Sequence, residues 1–243
     1  MRKHVKYIFA SGLFIYAVAW LFHVIFQTAL FPNPNTIIMI SIRNFNKFVP
    51  HLLVSGYRIL ISMSVALILG VLIGLTMGVV PLVKKILNPL VYTLYPIPKI
   101  AFLPVFMLLF GIKDFSKILL IVSIIIFQFL IATVDAVEAI DNDILKAAKI
   151  MKLPKGSMFK SVYLPAILPN ILTASRNAFG MSIAVLFFAE NYATTYGMGY
   201  TIMNSWMMVQ YKDMYAGILL LSIFGLLVFI LIDYVEMRLI RWR

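Results

Sequence analysis

Long apolar runs alternate with short polar interruptions along this chain. Runs extend from Tyr7 to about Leu30, from about Val54 to Val80, from Ile118 to about Thr133, from about Pro169 to Glu190 and from about Tyr215 to Val235. A helix needs roughly 20 apolar residues to cross the hydrocarbon core of a bilayer, so each run predicts a membrane-spanning helix. Between the second and third runs Asn88-Pro89 begins another helix, which Tyr95-Pro-Ile-Pro-Lys-Ile-Ala-Phe-Leu-Pro104 interrupts with three prolines. Broken helices survive at membrane depth only where protein or a water-filled cavity covers the freed backbone groups. That segment should therefore be buried in the bundle or line a pathway. The pattern predicts an all-α, polytopic membrane protein of about six transmembrane helices.

Residues 1–52 read as an N-terminal span and an outer interfacial segment that carries Arg43, Asn44, Asn46, Lys47 and His51. Residues 53–243 read as the core. A signal peptide is the other reading of the first run, but no small-residue cleavage site follows it, and a retained span is expected. Gly70, Gly74 and Gly78 form a double small-xxx-small repeat in the second span. Such repeats let helix backbones approach closely in lipid, and packing inside the subunit is expected here.

The strongly polar island of the second half lies at about residues 138–166. Ile144, Ala147, Ala148 and Met151 share one helical face, while Lys146 and Lys149 fall on another. Asp141 or Asp143 suits the N-cap, and the lysines collect toward the C-terminal end, where the helix dipole favours cations. Pro154 stops this helix. A second short helix with Met158, Phe159 and Val162 on its apolar side should follow.

Composition agrees with the pattern. Hydrophobic residues make up 63% of 243 residues and charged ones 12%, against roughly 45–50% and about 25% in a soluble domain. The formal charge of +12 does not sit on a basic module with interleaved aromatics, so no nucleic-acid partner is implied. With the N-terminus inside, fifteen of the 21 Lys and Arg residues fall on inner segments. The positive-inside rule then puts both termini and the 141–165 island in the cytoplasm. There is no cysteine, and His4, His23 and His51 lie far apart, so no metal-ligand spacing is visible. No Gly-x-x-x-x-Gly-Lys-Ser/Thr run is present to cradle phosphates. The chain binds no cofactor on this reading.

Ala147-Ala148, followed at a fixed distance by Val162, Tyr163, Leu164 and Pro165, resembles the cytoplasmic loop of membrane subunits of bacterial ATP-binding-cassette importers. Lys146 stands where that family has Glu, and Lys152 where it has Gly. The resemblance widens with Ser55-Gly-Tyr-Arg58, the glycine repeat, the Pro-rich segment, Phe110-Gly-Ile-Lys-Asp-Phe-Ser-Lys117, Ala189-Glu190 and Gly197-Met-Gly-Tyr200. Over about residues 30–237 the chain is similar to permeases of the nitrate, sulfonate and taurine group.

The resemblance implies a type I importer permease of the bacterial inner membrane, surrounded by lipid, that moves a small solute by alternating access. The solute would be an organic anion such as a sulfonate or taurine, or nitrate-like. It implies a second permease copy, two copies of a separate ATPase subunit that bind ATP and Mg, and an extracellular solute-binding protein. Coupling to the ATPase would fall on Ile144, Lys146, Ala147, Ala148, Met151, Lys152, Met158, Phe159, Leu164 and Pro165. An acidic groove on the ATPase would suit Lys146, Lys149 and Lys152; a plain positive-inside face is the other account of these lysines.

Ionisable residues within spans are costly and mark function or pairing. Arg58 and Glu190 lie near the outer ends of their spans, where they suit an ion pair or an outer gate. Gln128, Asn177 and Ser182, with Asn170, are candidate pathway residues or interhelical hydrogen bonds. Asp233 and Glu236 should neutralise nearby basic residues. An ion-driven secondary transporter would want midplane carboxylates or two matching halves. A membrane-embedded enzyme would want a convergent polar cluster; neither pattern is evident.

Overall fold

The computed structural model describes residues 2–240, and among these it is helical, without strands. The helices are α1 Arg2–Phe26, α2 Pro34–Arg43, α3 Phe45–Val79, α4 Pro81–Leu94, α5 Leu103–Phe110, α6 Asp114–Glu138, α7 Asn142–Ile150, α8 Lys155–Met158, α9 Leu164–Glu190, α10 Met198–Met207 and α11 Tyr211–Leu239. Among the described residues, four helical runs are long and apolar enough to cross a membrane: α3, Lys155–Glu190, α6 and α11. α4 and Lys99–Phe110 make a fifth if taken as one span, and they meet at a bend of 81°. α1 contributes a shorter apolar helix over Ala10–Phe26. This roughly matches the six expected spans.

Several boundaries differ from the sequence pattern. α3 begins at Phe45 and carries Pro50 within it, well before the expected start near Val54. The second short helix of the island does not stand alone. α8 passes through a π-helical stretch, Phe159–Tyr163, directly into α9, so one helical run covers Lys155–Glu190. The wider turn stands just ahead of Pro165, which has no N–H to continue the ladder, while Pro169 lies inside α9. The basic end lies partly outside the described residues, which exclude Arg241 and Arg243.

The chain divides into two compact units. One joins the chain up to Ser55 with Glu190–Phe224. Its core is Phe48, Met198, Ala216 and Leu220, with Ile37, Ile40 and Leu52 packed against them. Gly217 permits this contact, since a Cβ there would lie 2.8 Å from Ile202 Cγ1.

The other unit covers Gly56–Ala189 and the end of α11. Its core includes Ala136, Val137, Ile167 and Ile171, and a neighbouring group of Met77, Leu130 and Val134. Gly70, Gly74 and Gly78 lie against α6. An added Cβ would come within 2.7 Å of Phe129 Cβ, 2.6 Å of the Leu130 carbonyl oxygen and 2.7 Å of Val137 Cβ respectively. The loop before α6 is tied down residue by residue. Gly111 ends α5 with φ +84. Ser116 Oγ donates to the carbonyls of Phe106 (3.0 Å) and Gly111, and the buried Lys117 ammonium donates to Ile112 O at 3.0 Å.

Candidate functional site

The proline break stands beside a polar surface of the second unit. α4 ends at Leu94, the chain turns through Tyr95–Pro98, and a 3-10 turn over Lys99–Phe102 leads into α5. Lys99 closes the break, because its Nζ donates to the freed carbonyls of Leu94 (2.8 Å) and Tyr95 (3.0 Å). The ammonium also sits 4.4 Å from the centre of the Phe127 ring, an attractive cation–π placement.

Two cavities open beside the break. One, of about 460 Å³, is bounded by Tyr95, Gln128, Asp135, Asn170, Thr173 and Asn177, among others. The other, of about 380 Å³, is bounded by Tyr95, Lys99, Gln128, Met181 and Val185, among others. Gln128 and Asn177 thus face a cavity. Ser182 borders neither; it is fully buried and its hydroxyl donates to Ala178 O at 2.7 Å within α9. Asp135 and Lys99 are functional candidates beyond the expected set. The signal for Asp135 is its spacing, seven residues after Gln128, which puts both on one face of α6. Asn170 and Asn177 repeat that spacing on α9.

Arg58, 4% exposed, holds Asp114 with Nε at 2.8 Å and Nη2 at 2.6 Å. Asp114 begins α6, so the contact also places a carboxylate in the first turn, where the dipole favours it. In the first unit, fully buried Glu190 accepts from Ser55 Oγ at 2.8 and 3.0 Å and from the Gly199 N–H at 2.8 Å. Ser55 Oγ accepts in turn from the Met198 N–H at 2.8 Å. Glu190 and Ser55 together cap the start of α10, satisfying donors that a helix leaves open there. Gly197 has φ +144, and a Cβ on it would fall 2.3–2.5 Å from the Glu190 carboxyl group, so only glycine fits. His51 Nδ1 accepts the Gly197 N–H at 3.1 Å and stacks on Tyr196.

The polar island forms as its residues dictate. Asp141 caps α7 by accepting from the Asp143 N–H, and Lys146 pairs with Asp143 at 2.9 Å. Ala148 is buried, whereas Ile144, Ile150 and Met151 are exposed, the last two at 82% and 71%. Ala147 is exposed on the same side. Lys152 has φ +49, the left-handed backbone that glycine adopts without cost. Ala148, Lys149, Lys152, Met158 and Phe159 border an apolar cavity of about 680 Å³. Leu164 starts α9, and Pro165 borders a neighbouring cavity with Ile144. Arg176 donates to Asp233 at 2.8 and 2.7 Å and also pairs with Glu236.

Residues 66–241 match the profile of the family described as binding-protein-dependent transport system inner membrane component. The chain is 29% identical over 219 residues to the putative aliphatic sulfonates transport permease protein SsuC of Bacillus subtilis, covering 89% of this chain and 79% of that one. It is 30% identical over 193 residues to the taurine transport system permease protein TauC of Escherichia coli, covering 79% and 70%. It is 29% identical over 220 residues to the formylaminopyrimidine transport permease protein ThiX of Halalkalibacterium halodurans, covering 89% and 87%.

Proposed function

We propose, from the premise that this chain belongs to the family of binding-protein-dependent transport system inner membrane components, that it works as one half of a two-permease pathway driven by a separate pair of ATPase subunits. The chain itself is the importer's membrane-spanning permease. ATP and Mg bind on the ATPase, and an extracellular binding protein delivers the solute. Both termini and the loop at about 138–166 face the cytoplasm. The permease relatives named for sulfonate and taurine transport support a small organic anion or amino-substituted anion as cargo.

One observation carries the coupling part of this reading. α7 is otherwise polar, yet it holds Ile144, Ala147, Ile150 and Met151 out to solvent. Contiguous apolar side chains on an exposed helix mark a surface that a partner covers. The ATPase groove is that partner. Closure of the two ATPases would push α7, and through the continuous Lys155–Glu190 run the motion would reach the polar residues beside the proline break. Gln128, Asn177 and Asn170 line the pathway, and Arg58 organises its outer end. Lys146, Lys149 and Lys152 supply the basic rim of the coupling surface.

Purification in mild detergent with identification of co-purifying chains tests the reading. An ATPase subunit should be recovered in equal amount with the permease. Combined Ile150→Asp and Met151→Asp should release it while leaving the permease folded. Recovery of a lone chain that drives uptake from an ion gradient would overturn the proposal.

A further inference from the structure

The apolar cavity of about 680 Å³ behind α7 lies at the end of a membrane-spanning helix. Leu75 and Val79 of the last turns of α3 form one wall, and Met158 and Phe159 near the start of the Lys155–Glu190 run form another. Val79 and Phe159 are exposed. Apolar surface of this kind is better covered by an alkyl chain than by water.

Three lysines, Lys149, Lys152 and Lys155, border the same cavity, and no aspartate or glutamate does. Lys84, Lys146 and Arg176 each pair with a carboxylate. The three ammonium groups of the cavity, by contrast, make no hydrogen bond or ion pair among the described residues. Two of them also occupy unfavourable positions. Lys155 opens the Lys155–Glu190 run, the end at which the helix dipole disfavours a cation. Lys152 holds φ +49, a left-handed backbone that is costly for any residue with a Cβ, where the resembling importer loop has glycine. An anion shared by the three lysines would offset both costs.

A ligand that suits an apolar bed with a cationic rim is an amphiphile with an anionic head, and the bilayer supplies one beside the ends of the spans. Ile144, Ile150 and Met151 do not border the cavity. An ATPase seated on them leaves it open, although Lys149 and Lys152 stand on both rims.

We infer that this cavity holds an anionic phospholipid of the inner leaflet. Its phosphate lies against Lys149, Lys152 and Lys155, and one acyl chain lies along Val79, Met158 and Phe159. The inference goes beyond the transport reading and takes from it only the cytoplasmic placement of the loop.

The test uses the permease–ATPase complex in phosphatidylcholine nanodiscs doped with photoactivatable phosphatidylglycerol or, in parallel, photoactivatable phosphatidylcholine. Crosslinked peptides are quantified by mass spectrometry. One basic residue near an anionic headgroup favours it about fivefold. Three of them, partly screened, should give phosphatidylglycerol a preference of roughly tenfold or more at residues 75–80 and 158–163. Lys155→Gln, outside the coupling surface, should lower that preference about twofold to fivefold. Lys149→Gln, Lys152→Gln and Lys155→Gln combined should abolish it, with size exclusion scoring the intact complex. Crosslinking at Leu226 and Leu227, exposed on α11, should be the same for both lipids in every variant.

Equal crosslinking of the two lipids at the cavity, or a preference that survives the triple substitution, would overturn the inference. So would a preference seen in the isolated permease and lost in the complex, which would assign the cavity to the ATPase. The chain has no cysteine, so Gly156→Cys reports the placement of the loop in whole cells. An impermeant maleimide should reach it only after permeabilisation. Labelling from outside would sink the cytoplasmic placement and the lipid site with it, whereas inside labelling without a lipid preference sinks the lipid site alone.

Discussion

Gly197→Ala is the sharpest perturbation the structure offers. The alanine must hold φ near +144, a region essentially reserved for glycine, at a cost of about 1–3 kcal/mol. Its Cβ would sit 2.3 Å from Glu190 Cδ and 2.4–2.5 Å from the two carboxylate oxygens, more than an ångström inside ordinary contact. Glu190 is fully buried, so it can retreat only by giving up bonds to Ser55 or to the Gly199 N–H. A hydrogen bond to a charged group contributes about 1.5–3 kcal/mol. The combined loss is about 3–5 kcal/mol, which for a chain of this size lowers the apparent Tm by roughly 10 °C. The assay is thermal unfolding of the detergent-purified chain, with size-exclusion profiles to score the folded fraction. Gly180→Ala is the matched control, because a Cβ there meets nothing within 4 Å and helical Gly→Ala gains about 0.5–1 kcal/mol. Gly197→Ala within a degree of the parent, or equal damage from Gly180→Ala, would refute the capping argument.

Other substitutions probe separate joints. Gly74→Ala drives a methyl to 2.6 Å from the Leu130 carbonyl and should cost about 1–3 kcal/mol by overpacking α3 against α6, while Gly156→Ala, helical and in open space, should not lower the melting temperature. Lys152→Gly should be tolerated at φ +49, whereas β-branched Lys152→Val should lose about 1–2 kcal/mol in the same thermal assay. Asp114→Ala strands part of the buried Arg58 charge, so a double-mutant cycle with Arg58→Met should return a coupling energy of about 1 kcal/mol or more; simple additivity would refute the pairing seen at 2.6 Å.

Much of this architecture was legible because prolines, caps and glycines act locally. The prolines of residues 95–104 announced the break, the pair Asp141 and Asp143 announced the start of α7 without saying which one caps it, and the four-residue spacing of Gly70, Gly74 and Gly78 announced a close helix contact. Span limits were less legible, since Pro50, Pro165 and Pro169 read as breakers while the surrounding structure absorbs them, in one case with a π-helical turn. The partners of charged residues were least legible. Asp114 is 56 residues from Arg58 and Ser55 is 135 residues from Glu190, distances over which periodicity carries no signal. Asp135 stood in plain view at the end of an apolar run, but only the cavity beside it distinguishes it from a solvated helix end.

The proposed function requires that a separate ATPase drive solute through this chain. Reconstitution in proteoliposomes with the co-purified ATPase and the binding protein tests it most directly, by labelled solute uptake with and without internal ATP at zero ion gradient. Uptake should require ATP and fall at least tenfold with Ile150→Asp and Met151→Asp combined. Uptake that persists without ATP and follows an imposed proton or sodium gradient would contradict it.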